Sequence, residues 1–347
     1  MKFKVKSSML KVKNQRIHIY NILFLIILSF GLSTFIFQLS TDCEASYLDI
    51  GLGPRAQGMG NAFTGLADDA LAMYYNPAGV GQLFEKEVGF SYAALYSGLD
   101  YPTGKSNLGD MFIGYVHPLP DKIGGTIGGM WLNRQASNIY SENSFIVSYG
   151  RRIREGIYVG ANFKILQLAY SPTLWTYDEN LGIGNEWDEG GTSDPVFDKG
   201  TSAVGVGLDL GVLFDINERL RVGFCVKDFN QPNVSLKDPN PVPMSIKVGA
   251  KYEMGEYRML CDLTTRNYDY NLNLGVEWWM TEMPIGIRGG FGFGSRRYSQ
   301  ISMGASYLLL PLSGPFMYQF DYAFMCSLSG IEGTGGTHRF GMTMRIK

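Results

Sequence analysis

The stretch GIYVGANFKILQL, residues 156–168, decides the fold, because Ile157, Val159, Ala161, Phe163 and Ile165 share one parity while Tyr158, Gly160, Asn162 and Lys164 share the other. A strand written this way has one face for hydrocarbon and one for polar surroundings. The pattern recurs. Val204, Val206, Leu208, Leu210, Val212 and Phe214 oppose Gly205, Gly207, Asp209 and Gly211; Leu220, Val222, Phe224 and Val226 alternate with Arg219, Arg221 and Lys227; Leu272, Leu274, Val276 and Trp278 alternate with Asn273, Gly275 and Glu277. From Glu85 onward about fourteen such segments follow one another, which reads as an all-β, closed, antiparallel transmembrane β-barrel.

A soluble β-sandwich also alternates, since one face of each sheet meets a core and the other meets water. Its strands usually run about five or six residues. The segments here run about ten or more, the length a tilted strand needs to cross a bilayer, and closure removes the sheet edges that such long strands would expose. The connections give a second argument, because a barrel alternates short turns with long loops. Residues 118–122, 152–155, 215–218, 253–256, 280–284 and 309–314 read as the short turns. Residues 97–106, 135–142, 169–200, 228–242 and 326–335 read as the long loops, with short exceptions near 267–270 and 295–297.

Composition agrees with this reading. The 347 residues include 44 glycines and are 14% aromatic but only 18% charged, and the 21 Tyr, 21 Phe and 5 Trp suit interfacial girdles. A net charge of -2 gives no sign of nucleic-acid binding. At the amino end Lys2, Lys4, Lys6, Lys11, Lys13 and Arg16 precede an apolar run from Ile22 to Phe37 and the sequence Cys43-Glu44-Ala45, so residues 1–45 are expected to be a secretory signal, with a retained membrane helix as the alternative. The expected division is signal 1–45, an amino-terminal plug segment 46–84 in the lumen, and the barrel 85–347. The location that follows is a Gram-negative type outer membrane.

The segment before the barrel contains GPRAQGMGNAFTGLADDALAMYYNPAG, residues 53–79. It reads as a glycine-rich stretch followed by one short helix. Asp68 or Asp69 is positioned to cap its start, Leu71, Tyr74 and Tyr75 to share a face, and Pro77 to end it at Asn76. The run from Gly51 to Ala56 fits a loose dinucleotide fingerprint, but no βαβ unit follows it. The run closely resembles the amino-terminal signature of the PorV/PorQ family of outer-membrane proteins, itself related to FadL-type long-chain fatty acid channels. Thr337-His338-Arg339-Phe340 looks like that family's closing strand, although the chain goes on to Arg345-Ile346-Lys347 rather than to an aromatic residue. The resemblance implies a plug motif carried by Arg55, Gly58, Gly60, Asp68, Asp69, Asn76, Pro77 and Gly79.

Charged residues of the polar parity point into the lumen: Lys164, Arg221, Lys247, Arg258 and Arg288 would favour a carboxylate head group, unless they and Asp209, Asp262, Glu277, Asp321 and Arg339 neutralise one another. The paired glycines Gly124-Gly125 and Gly128-Gly129 in the third strand suit a kinked lateral gate, or clearance for the plug. The acidic loop 169–200 holds Asp178, Glu179, Glu186, Asp188, Glu189, Asp194 and Asp198 without the regular spacing of a calcium loop, and reads as a solvated loop or a partner clamp. His117 and His338 assemble no nucleophile with a base, and Cys225, Cys261 and Cys326 form neither a disulfide framework nor a zinc pattern. No enzyme activity, cofactor or metal is expected. The resemblance implies two functions: passage or binding of a hydrophobic or amphipathic small molecule, or a type IX secretion role holding secreted proteins. A purely structural outer-membrane protein is a third reading. The expected partners are outer-membrane lipid and either that small molecule or those proteins.

Overall fold

The computed structural model describes residues 47–101, 104–105, 108–137, 139–170, 200–295, 298–310, 314–329 and 333–346. The expected signal, with Cys43, and residues 171–199 of the acidic loop lie outside the described residues.

Among the described residues sixteen strands occur in chain order: β1 Lys86–Ala94, β2 Asp100–Tyr101, β3 Gly104–Lys105, β4 Leu108–Pro118, β5 Thr126–Ala136, β6 Tyr140–Arg154, β7 Ile157–Tyr170, β8 Ser202–Asp215, β9 Leu220–Lys227, β10 Ser245–Met254, β11 Tyr257–Arg266, β12 Asp269–Trp279, β13 Ile285–Gly294, β14 Ser299–Leu309, β15 Phe316–Ser327 and β16 Thr337–Ile346. Fourteen of them, all but β2 and β3, form a closed barrel of antiparallel neighbours. The last strand closes on the first, with Lys86 opposite Ile346 and Ala94 opposite His338. β2 and β3 pair only with each other, in the connection between β1 and β4.

Parity sorts the side chains as the period of two requires. Phe145, Val147, Phe163, Ile165, Leu210, Val276 and Met303 are exposed on the outer face, while Lys164, Asp209, Asp262, Glu277, Arg288 and Arg339 are buried on the inner one. Connections at one end are short, such as the one joining β6 to β7; this is the short-turn end, where β1 begins and β16 finishes. The other end is mixed. The expected long loop at 135–142 shrinks to three residues because β5 and β6 run on to Ala136 and Tyr140, and β11 turns directly into β12 through Asn267 and Tyr268, both at positive φ.

Residues 52–83 are buried almost throughout, and they form the largest apolar cluster with Phe112, Val116, Met130, Leu132, Ile146 and Leu260 of the wall. The segment has two short helices, α1 Pro54–Gly58 and α2 Ala72–Tyr75, and a 3-10 turn Pro77–Gln82. Two details differ from expectation. α1 forms within the glycine-rich stretch, started by a proline whose fixed φ suits the first helical turn. α2 has no side-chain cap at its N-cap, Leu71; Asp69 instead accepts the Leu71 amide one residue earlier, at 2.9 Å. Pro77 does end the helix, leaving Asn76 extended and free to accept the Ala78 amide.

The wall meets this segment through glycine. Gly89, Gly114, Gly128, Gly150, Gly160, Gly211, Gly223, Gly249, Gly275, Gly290, Gly304 and Gly341, one from each of twelve barrel strands, would each push a methyl group into residues between Pro54 and Gly81. All twelve sit two to five residues from the short-turn end of their strands. They form a level collar. Gly150 pairs with Gly160 and Gly160 with Gly211, but Gly211 pairs with Cys225 while the next collar residue is Gly223, two residues lower. Such steps keep a ring level when the strands tilt.

Candidate lumenal site

A closed wall touched from all sides by one segment encloses it, so residues 52–83 fill the lumen at the collar. Wall side chains bind the segment's backbone. Asp262 accepts the amides of Phe63 and Thr64 at 2.8 and 2.7 Å, Glu87 accepts that of Ala70 at 2.6 Å, and Asn162 donates to the Met73 carbonyl at 2.7 Å. Asn76 donates to Thr64 within the segment and to Val212 of the wall. These bonds supply partners for backbone groups that no strand or long helix satisfies.

Toward the short-turn end the segment is tied by charge. Arg55 lies between its own neighbours Asp68 and Asp69, at 2.5 and 2.9 Å, and forks onto Glu277 of β12 with both contacts at 3.0 Å. Glu277 also accepts from Arg288 at 2.8 Å and Arg258 at 2.9 Å, and Arg288 continues to Asp321 at 3.2 Å. Burial works against the Arg55 cation, yet Asp68, Glu277 and Asp69 outweigh it and hold its pKa well above the usual value. Burial raises Asp68 and Asp69 alike. Arg55 overcomes this at Asp68, whose pKa is lowered, while Asp69, next to the Asp68 charge, stays raised. The two aspartates therefore serve Arg55 as much as the start of the helix.

Toward the other end lies a cavity of about 50 Å³. The β6–β8 wall is tall here, with Tyr140 and Tyr170 ten residues beyond their collar glycines, whereas β9 stops at Lys227, four residues beyond Gly223. Residues 47–49 line the cavity with Tyr74, Arg134, Glu142, Lys164, Asp209, Lys227, Asp228 and Arg266. Asp49 accepts from Lys247 at 2.5 Å, Lys227 at 3.2 Å and the Tyr74 hydroxyl at 2.7 Å. Lys227 also lies 3.9 Å over the Tyr74 ring. Burial pushes the Asp49 carboxyl up, but Lys227 and Lys247 outweigh it and hold the group well below the usual carboxylate range. Lys164 bridges Asp209 and Asp228, each at 2.6 Å. The Tyr47 amide donates to Glu142 at 2.6 Å, and Arg134 donates to the Leu48 carbonyl at 2.8 Å.

The candidate cations thus separate into three groups. Lys164 and Lys247 reach the cavity region; Arg258 and Arg288 converge on Glu277; Arg221 binds Asp215 and Gln82 near the short-turn end. Every one already has a protein partner. Gly58 and Gly60 pack against wall strands, and a side chain on Gly79 would strike Ala67. Gly128 faces Met73, Gly129 faces open space, and Gly124 and Gly125, at φ +71° and +80°, precede β5 in the turn. β5 pairs without interruption with β4 and β6. His117 and His338 each meet a tyrosine hydroxyl, of Tyr115 and Tyr322. Sequence reasoning passed over Asp49, the counter-charge of two lysines, and Glu142. Their acidic character inside a basic lumen was the available signal.

No protein-family model matches the chain, and no curated protein sequence does. Solved structures do. The CymD monoaromatic hydrocarbon channel is similar with a TM-score of 0.59 at 14% identity, covering 87% of this chain and 97% of that one. The Ralstonia pickettii toluene transporter TbuX gives 0.58 at 13%, covering 86% and 98%. A Pseudomonas aeruginosa FadL homologue gives 0.51 at 12%, covering 83% and 97%. At these identities the likeness is one of fold alone.

Proposed function

We propose that the chain is an outer-membrane channel that binds and passes a hydrophobic or amphipathic small molecule. The observation that carries this reading is the cavity at the long-loop end, lined by residues 47–49 and by Lys164 and Lys227, whose counter-charges are protein carboxylates. The named activities of the similar barrels, hydrocarbon channels and toluene transporters, support the ligand class. The resemblance of residues 53–79 to PorV/PorQ proteins is the finer part of the proposal. The alternative of a shuttle for secreted proteins would rest on loops 169–200 and 228–242, the first described only at its ends.

An apolar cavity of about 150 Å³ takes up benzene, so a space of about 50 Å³ admits no such ligand until residues 47–49 move aside. Asp49 then stands where the head group of an amphipathic ligand would meet Lys227 and Lys247. In proteoliposomes, Asp49→Ala is expected to tighten binding of a fluorescent fatty acid several-fold and to leave toluene passage nearly unchanged. Equal effects on both probes would remove the lysines from ligand recognition, and no passage of either probe by the unaltered protein would overturn the channel reading. The lateral gate at Gly124, Gly125, Gly128 and Gly129 belongs to the same proposal. Gly129→Val tests it cleanly because that position has open space, whereas a side chain at Gly128 would also strike Met73.

A further inference from the structure

β6 alternates buried and exposed residues down to Gly150 and then stops alternating: Arg151, Arg152, Ile153 and Arg154 are all exposed. The cause is local. The β6–β7 register shifts between Arg152 and Arg154, and an extra residue in one strand re-aims its neighbours. Arg151, exposed by the regular alternation, is thus joined by Arg152 and Arg154, so that all three arginines are exposed at the short-turn end. None has a carboxylate partner among the described residues, whereas Arg55, Arg134, Arg221, Arg258, Arg288, Arg339 and Arg345 each have one.

The first of the three has a prepared seat. The outer face of β6 runs Phe145, Val147, Tyr149, Arg151, passing from apolar residues through an interfacial tyrosine to a cation. The Tyr149 hydroxyl donates to the Gly124 carbonyl at 3.1 Å. The Arg151 guanidinium lies over Gly124, where a Cβ would come within 3.4 Å of it. Ile123, next to Gly124 in the chain, and Ile153, two residues after Arg151, are 58% and 64% exposed. Apolar side chains beside unpaired guanidinium groups, at the level where a membrane-spanning face ends, match the acyl and phosphate regions of a lipid.

We propose that Arg151, Arg152 and Arg154 form a binding site for the headgroup phosphate of an anionic phospholipid in the leaflet bordering the short-turn end, with Ile123 and Ile153 set against its acyl chains. The site is separate from the lumen and independent of what the channel carries. It also gives Gly124 a role as the floor under Arg151.

The test is native mass spectrometry of the full chain in detergent, titrated with phosphatidylglycerol, phosphatidylcholine and inorganic phosphate. Phosphatidylglycerol is expected to bind more tightly than phosphatidylcholine. The triple variant Arg151→Gln, Arg152→Gln, Arg154→Gln is expected to lose on the order of a hundredfold in that affinity, at roughly fivefold per cation near an anionic surface. The corresponding triple lysine variant keeps the charge without the planar fork and is expected to fall between the two. Heat-dependent gel mobility checks that each variant is folded. Equal phosphatidylglycerol affinity in the unaltered protein and the glutamine variant overturns the site. So does equal affinity for the two lipids, and displacement of the lipid by millimolar inorganic phosphate would make it a free-anion site instead.

Discussion

Arg55 and Glu277 form a two-contact ion pair between the lumenal segment and the wall. Both are buried, and removing one partner of a buried pair costs about 3–5 kcal/mol. Arg55→Ala takes from Asp69 its ion-pair partner and leaves Asp68 only the more distant Arg258, while Glu277 keeps Arg258 and Arg288. The expected result is a barrel that still runs as folded on a gel but admits protease to residues 47–83 and conducts more ions in a planar bilayer; an unchanged conductance would show that the collar holds the segment alone. The collar makes its own single-residue contrast. Gly290→Ala places a methyl group against the Gly60 amide, an overpacking cost of about 1–3 kcal/mol, while Gly129→Ala meets nothing within 4 Å and is expected to unfold at the parent temperature. Thermal unfolding followed by circular dichroism measures both. The inner parity of Lys164, Arg258 and Arg288 was legible because a strand's period of two fixes it within a few residues. Their partners were not: Arg55 and Glu277 are 222 positions apart, and no local pattern encodes such a pairing.

Among the elements, the β8–β9 ladder is the shortest in the wall. It holds from Leu210 opposite Val226 to Asp215 opposite Arg221 and then ends, whereas β6 and β7 stay paired from Tyr140 to Arg154. Above that point loop residues bond the edge of β8: Phe229 donates to the Leu208 carbonyl, and the Asn230 side chain accepts from Leu208 and donates to Val206. Hydrogen exchange is therefore expected to be faster at Val206 and Leu208 than at Val159 and Phe163, and faster again in Asn230→Ala; equal protection across β7 and β8 would refute this. Strand number and order were legible from alternation. Helix placement was legible only in part, since Pro77 fixed one end of α2 while Asp69 was drawn toward Arg55, a partner that propensity rules do not see.

At the scale of the whole molecule, Asp49 is one of three ties that dock residues 47–49 on the wall, beside Tyr47 on Glu142 and Arg134 on the Leu48 carbonyl. A carboxyl held below its ordinary range contributes stability that is complete above about pH 4, the unfolded value, and is lost as pH falls through the depressed folded one. Residues 47–49 are thus expected to stay docked from pH 8 to pH 5. A fluorophore on Leu48→Cys, at a half-exposed position, reports this, and a transition centred near pH 6 would point to another group.

The collar also dictates an order of assembly. Twelve strands touch residues 54–81 with no room for a methyl group between them, so a finished ring offers no passage through which the segment could be threaded afterwards. The segment precedes β1 in the chain, and β1 must meet β16 to seal the wall. It must therefore lie within the curving sheet before the two strands seal, while strand number and stagger set the diameter of the cylinder that closes over it.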